Sequence, residues 1–376
     1  MNLNELHTYA VQMRRQLHMY PEVGFDLPKT VELVTRELTQ MGIAYTLQYG
    51  QGSVVADLGQ GDICVGLRAD MDALPVEEKT GLPFASKIPG CMHACGHDAH
   101  TGILLAVAKY LKENETALPC RVRLIFQPSE EGAVSGAKMM VDNGVTEGVD
   151  EIICTHCEPM IDPGTVGLCV GDYMAACIPG TIQFHGRTAH AARQETGINA
   201  VAMGVDAYVQ LKEMIEREAG DNKYIWCNGK LAGGFVHNVV PDECEMAISF
   251  RFFNMEFADR VTKEVHRICN KIAQSYGGTV DITWDMSTGP VHNHVTVCDR
   301  LKNLPGITEK IQDMSSRLSS EDFGWYLTKI PGALFRFGCR NLEKGWVKPA
   351  HCNDFYLDED GMRDAIEVFI KYVMNR

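Results

Sequence analysis

Apolar positions along this chain recur at two periods, and the order in which the periods alternate changes near residue 178. Before that point, helical spacing over residues 3–19 and 28–42 is followed by two short β-branched runs, SVVADL at 53–58 and ICVGLRA at 63–69. ILLAVAKYLKE at 103–113 then has helical spacing, RVRLIF at 121–126 reads as a strand, GAKMMVDNG at 136–144 as a helix and EIICTH at 151–156 as a strand. This alternation predicts an α/β layer built on a mixed, largely parallel sheet flanked by helices.

From 178 to 288 the order becomes strand (TIQFHG), helix (GINAVAMGVDAYVQLKEMIERE), strand (KYIWCNGKL), strand (CEMAISFRFF), helix (FADRVTKEVHRICNKIAQSYG) and strand (TVDITWDM). A βαββαβ order is that of a small ferredoxin-like sandwich, self-contained enough to be an inserted domain. The strand ALFRFG at 333–338 and the closing helix DEDGMRDAIEVFIKYVMNR return to the first pattern. The expected division is therefore a first domain of residues 1–177 and 289–376 interrupted by an inserted domain of residues 178–288.

Composition narrows the classes. A chain of 376 residues exceeds what one core normally serves, and 45% hydrophobic with 22% charged residues is ordinary for a globular protein. No run of apolar residues is long enough to span a bilayer, and MNLNELHTYAVQMRRQLHMY has no secretory pattern. The formal charge of -14, with no long basic stripe, argues against nucleic acid. The 14 cysteines, scattered without a leader, are expected to be reduced thiols, which points to the cytoplasm.

Candidate chemistry gathers where apolar strands end: RADMD after ICVGL, QPSEEG after RLIF, His156 after EIICT, and His351 in the loop after ALFRFG. In a parallel sheet the carboxyl ends share one edge, so such residues can converge. HACGHDAH at 93–100 fits a loop entering a helix, with Asp98 a candidate cap for ILLAVAKYLKE. Cys95, His97, Glu131, His156 and His351 offer a thiolate, three imidazoles and a carboxylate, a donor set for a transition metal rather than for calcium or magnesium. Five donors exceed one open tetrahedral site, so two ions sharing ligands is the economical reading. In the adjacent pair Glu130 and Glu131, one carboxylate can bind metal while the other moves protons. Asp70 and Asp72 would support, for example by accepting a ligand histidine's second N–H.

Bland readings stand beside these. His93 and His100 can be structural neighbours. Cys154, His156 and Cys157 could be half of a zinc knuckle, although no matching second pair exists, and Cys95 as a protease nucleophile would leave the glutamates and His351 unused.

The segments RRQLHMYPEVGF, GLRADMDALP, MHACGHDAHT, IFQPSEEG, CTHCEP, FHGRTAHAA, HNVVPDE, SSEDFGWYL and PAHCNDF follow one another in an order that resembles the aminoacylase-type dinuclear metallopeptidases. The likeness is to the amidohydrolase subfamily of hippurate hydrolase, auxin-conjugate hydrolases and N-acetyldiaminopimelate deacetylase. It implies two divalent ions (Zn, Mn, Co or Ni) held by Cys95, His97, Glu131, His156 and His351, with Glu130 as general base and Asp70 as a supporting acid. It also implies a lid that pairs two subunits, brings His190 toward the reacting carbonyl and uses Asn238 and Arg251 to hold a substrate carboxylate. The chain departs from the pattern at HAARQETGINA, where Asn199 stands near an expected Asp, and at PAHCNDF, which lacks the usual His-Ser-Pro. EDFGWYL is closer to the diaminopimelate deacetylases than to the plant enzymes.

The expected activity is metal-dependent hydrolysis of the amide of an N-acyl amino acid by a homodimer, without membrane or nucleic-acid partners. A dipeptidase on the same scaffold, N-acetyldiaminopimelate deacetylation as the specific activity, or a non-catalytic metal-stabilised binding protein are the alternatives.

Overall fold

A computed structural model describes residues 1–376. The chain divides into two compact units: Met1–Tyr173 with Val291–Ser316 and Asp322–Arg376, and Met174–Pro290 with Arg317–Glu321. The rhythm of the sequence marked an insert at 178–288. Its contacts begin at Met174 and add residues 317–321, because the N–H of Ala175 donates to the carbonyls of Arg317 and Ser319.

The larger unit is an eight-stranded sheet ordered Tyr45–Thr46, Val54–Leu58, Arg121–Gln127, Cys64–Asp70, Glu151–Glu158, Gly332–Gly338, Val166–Leu168, Ile311–Asp313. The four central strands run parallel, with antiparallel pairings on either side and one parallel pair at the far edge. Every residue of Cys64–Asp70, Glu151–Glu158 and Gly332–Gly338 is buried, which is why these strands read as nearly unbroken apolar runs. The helix His97–Glu113 packs between this sheet and the helices Leu3–His18 and Met362–Met374. A Cβ on Gly102 would lie 2.7 Å from the Ala10 carbonyl, so glycine permits the helix Leu3–His18 to approach this closely.

Several elements differ from the sequence reading. The helix expected at 103 begins six residues earlier, at His97, and its N-cap is Gly96, without a side-chain cap. Asp98 lies inside the first turn, where its carboxylate takes His18 Nδ1 at 2.8 Å and Arg14 Nε at 3.2 Å. The strand carrying His156 continues through it to Glu158. The strands Val166–Leu168, Gly171–Met174, Val291–Asn293 and Ile311–Asp313 and the helix Val295–Lys302 were not anticipated.

The smaller unit has the order read from the sequence. Its sheet runs Tyr224–Gly233, Glu243–Phe252, Ala176–His185, Thr279–Trp284, antiparallel throughout, and the helices Ala200–Ala219 and Met255–Tyr276 pack on it. Strand Glu243–Phe252 alternates buried and half-buried residues, the period-two pattern of a sheet with one face covered. Asn199, the residue that departs from the family pattern, caps the first of these helices by accepting the Ala202 N–H at 3.0 Å.

Candidate metal centre

Strands Cys64–Asp70, Arg121–Gln127 and Glu151–Glu158 deliver Asp70, the Glu130–Glu131 turn and His156 to one edge, since Asp70 pairs with Gln127 in register and all three strands are parallel. The HACGH segment enters the same edge through Gly96. At φ +86° a glycine is favoured, and a Cβ here would sit 2.6 Å from Cys157 Sγ. His351 arrives on a loop with a left-handed backbone, φ +71°, and its N–H donates to the Ala94 carbonyl at 2.8 Å.

These elements bring together all five residues read as ligands. Donor atoms of Cys95, His97 and His156 lie within 4.8 Å of one another, as do those of Cys95, Glu131 and His351 and those of His97, Glu130 and Glu131. Cys95 Sγ is 3.4 Å from His156 Nε2, and His351 Nε2 is 3.0 Å from Glu131 Oε1.

The hydrogen bonds around the cluster leave several donor atoms available. His97 Nδ1 lies 2.9 Å from the main-chain oxygen of Asp72, so its proton is held there, and its buried Nε2 has no hydrogen-bond partner. His156 Nδ1 lies 2.7 Å from the Cys157 carbonyl, leaving Nε2 toward Cys95. Glu131 Oε1 is buried and pairs with His351 Nε2, 3.0 Å away. His97 and His156 both fit cation ligands whose other nitrogen is pinned. Burial, then Arg336 and His100, hold the His156 ring neutral. Burial and the Glu131 carboxylate push the Cys95 thiol up, which favours the protonated sulfur; a cation bound there would favour the thiolate.

The carboxylates around the cluster divide their roles. Asp72 accepts the N–H of Glu130 at 2.9 Å and of Glu131 at 3.1 Å, so its carboxylate fixes the turn while its main chain holds His97. Asp70 accepts Arg68 Nη1 at 2.6 Å and His100 Nδ1 at 2.6 Å. Burial opposes its ionisation, but His97, Arg68 and His100 hold its carboxyl well below the usual range. His100 Nε2 in turn accepts the Cys157 N–H at 3.0 Å, so both its ring nitrogens are used within the protein. His93 is buried, and burial pushes its pKa down to about 3, a neutral ring. Glu130 Oε2 lies 3.8 Å from His97 Nε2.

His190, Asn238 and Arg251 fall within the smaller unit. His190 Nδ1 accepts the Ala192 N–H at 3.1 Å, and the Ala191 N–H donates to the Asn238 carbonyl at 3.0 Å. Arg251 Nη1 donates to the Leu318 carbonyl at 2.9 Å; its main protein partner is a carbonyl, not the acid of a strand-face salt bridge.

Sequence reasoning missed Arg68, Gln127, Ser135 and Asp322, which form one buried network. Arg68 donates to Asp70, Gln127 and Asp322, while Asp322 also accepts Gln127 Nε2, Ser135 Oγ and the Ala137 N–H. The available signal was an arginine inside an otherwise apolar strand run and the acid of SSEDFG.

A family model described as Peptidase family M20/M25/M40 matches residues 66–375. The chain belongs to that family. With the family come hydrolysis of amide bonds and divalent metal as cofactor, and the donor cluster just described suits both. This M20 chain is 34% identical over 369 residues to N-acetyl-L-cysteine deacetylase of Bacillus subtilis (strain 168), covering 97% of this chain and 87% of that protein. It is 31% identical over 368 residues to thermostable carboxypeptidase 1 of Saccharolobus solfataricus, covering 96% and 94%. A crystal structure of a dinuclear metal binding peptidase of the M20 family from Bacillus subtilis matches with a TM-score of 0.83 at 30% identity, over 99% of this chain and 98% of that one. No helix of this chain is long and apolar enough to cross a membrane.

Proposed function

We propose that the protein hydrolyses the amide bond of N-acyl amino acids, releasing a carboxylic acid and the free amino acid, with Glu130 as general base. The observation that carries the reading is the division of labour in the Glu130–Glu131 turn. Asp72 holds both backbone N–H groups, Glu131 Oε1 meets His351 at 3.0 Å, and Glu130 Oε2 remains beside His97 at 3.8 Å. Cys95, His97, Glu131, His156 and His351 would hold two divalent ions, with Cys95 common to both trios of donors. When bound, such ions polarise the carbonyl and acidify water.

Glu130 takes a proton from the attacking water and delivers it to the amine nitrogen as the amide C–N bond breaks. Asp70 keeps negative charge beside the donor nitrogen of His97, 3.9 Å from its Nε2. His190 accepts the Ala192 N–H at Nδ1, so Nε2 is the nitrogen that can donate to a developing oxyanion. Asn238 and Arg251 are assigned to the substrate carboxylate, a task that suits a guanidinium fork.

The homodimer is assigned to the smaller unit. Its edge strand Tyr224–Gly233 exposes Ile225 and Leu231, and the helix Ala200–Ala219 exposes Val205, Tyr208 and Val209, apolar surface beside an unpaired strand edge. Fourteen free cysteines support a reducing, cytoplasmic setting.

Replacing Glu130 by Gln tests the reading: turnover should fall by about 10²–10⁴ with metal content retained. Undiminished turnover would remove Glu130 as the base. A screen of acetyl, benzoyl and longer acyl amino acids, N-acetyldiaminopimelate and dipeptides identifies the substrate. Similarity to a carboxypeptidase supports a peptidase as the second reading, and preference for a free α-amino group would select it.

A further inference from the structure

We infer that Arg68 and Asp322 are positioning residues that aim the Glu130 carboxylate, an inference that rests on Glu130 being the base. Arg68 lies in the fully buried strand Cys64–Asp70 and is 1% exposed. Its three nitrogens are divided among three acceptors: Nη1 to Asp70 Oδ2 at 2.6 Å, Nη2 to Asp322 Oδ1 at 2.9 Å and Nε to Gln127 Oε1 at 2.9 Å. Asp322 is fully buried and collects Gln127 Nε2 at 2.9 and 3.0 Å, Ser135 Oγ at 2.7 Å and the Ala137 N–H at 3.1 Å.

A buried ionic network of this size is a poor device for stability alone, because apolar residues of similar volume often serve as well or better. What it secures is geometry. The donors that grip the Asp322 side chain also fix its backbone, and the Asp322 N–H donates to Glu130 Oε1 at 3.4 Å. Asp72 already holds the Glu130 backbone, so Oε1 is tethered from a second side while Oε2 lies 3.8 Å from His97 Nε2. The other end of the guanidinium holds Asp70, which stands 3.9 Å from the same His97 nitrogen. One planar cation thus ties the support of the base and the support of a ligand histidine to a common frame. Lysine could not reproduce this, since a point charge lacks the fork.

A misplacement of about 1 Å can cost a reaction about 10²-fold. Asp322→Asn and Arg68→Lys should therefore lower kcat by about 10- to 100-fold, with KM within about threefold of the wild type and metal content unchanged. Ser135→Ala, which removes one donor from Asp322 and keeps the charges, should lower kcat by a few-fold in the same pattern and decides the matter if the charged-site variants do not fold. The readout that a merely structural role would not give is non-additivity: in a Glu130→Gln background, measured by slow product accumulation, Asp322→Asn should produce no further loss. The inference is overturned by wild-type kcat in folded, metal-loaded Asp322→Asn and Arg68→Lys, or in Ser135→Ala where those do not fold. It is equally overturned if Asp322→Asn lowers the residual rate of Glu130→Gln by the factor seen in the wild type. Full turnover in Glu130→Gln alone would instead show that the base assignment failed and take this inference with it.

Discussion

Replacing Gly96 by alanine should damage the centre without touching a single donor atom. The residue sits between Cys95 and His97 at φ +86°, where an L side chain costs about 1–2 kcal/mol, and its new Cβ would lie 2.6 Å from Cys157 Sγ and 3.3 Å from Leu357 Cδ1. Overpacking of this kind adds about 1–3 kcal/mol, because the Cys157 thiol is buried and its backbone N–H is held by His100. The sum is about 2–5 kcal/mol, and at about 2–4 °C per kcal/mol for a unit of this size the melting temperature should fall by about 5–15 °C. The control is Gly42→Ala, at φ +70° with nothing within 4 Å of the new Cβ, which should show the backbone cost alone. Thermal melts of both variants, with and without chelator, together with metal analysis, separate the two contributions. Because relief of the contact must push the Cys95–His97 loop or the strand end apart, Gly96→Ala should also bind metal more weakly. A Gly96→Ala protein matching Gly42→Ala in melting temperature and the wild type in metal content would refute the reasoning.

Exhaustive chelation should abolish turnover and lower the melting temperature by on the order of 10 °C, since a ligand at about 1,000 times its Kd contributes about 4 kcal/mol; full activity in protein shown to be metal-free would contradict this. Glu359 accepts Arg14 Nη1 at 2.6 Å, Arg15 Nε at 3.0 Å and Arg15 Nη2 at 2.6 Å. Burial opposes its ionisation, but Arg15 and Arg14 lower its pKa, so the stability it contributes is complete above the unfolded value of about 4.3 and is lost as pH falls through the lower folded value. Glu359→Gln should cost about 1–3 kcal/mol at pH 7, and denaturant melts should show the gap narrowing below about pH 4; a gap independent of pH would contradict the sign. Asn199→Ala should cost the smaller unit about 1 kcal/mol through loss of the cap, read as faster amide exchange at the start of helix Ala200–Ala219, and unchanged exchange would rule the cap out.

Long periodic elements were legible because burial of one face imposes the pattern: Met255–Tyr276 and Glu243–Phe252 fall within two residues of their sequence limits. Strands of three or four residues such as Val166–Leu168 carry no such pattern and exist only because a neighbouring strand pairs with them. The start of helix His97–Glu113 was hidden for a related reason. His97, Asp98, His100 and Thr101 are polar yet buried, each matched to a partner distant in sequence, so the helix begins where an apolar scan sees a loop. Donor residues showed through their chemistry at strand ends. Their supports did not, because Arg68 looks like a stray charge until Asp70, Gln127 and Asp322 are folded around it.

The five donor residues are not equally shielded. Cys95, His97 and His156 are buried on the sheet edge and the helix start, whereas the His351 side chain is 56% exposed and rides a loop in a left-handed conformation that costs a non-glycine residue about 1–3 kcal/mol. A bound cation would therefore meet solvent first on the His351 and Glu131 side, and last at the buried trio. On that side the exposed imidazole is anchored to the buried HACGH segment by its own backbone, through the His351 N–H that donates to the Ala94 carbonyl at 2.8 Å.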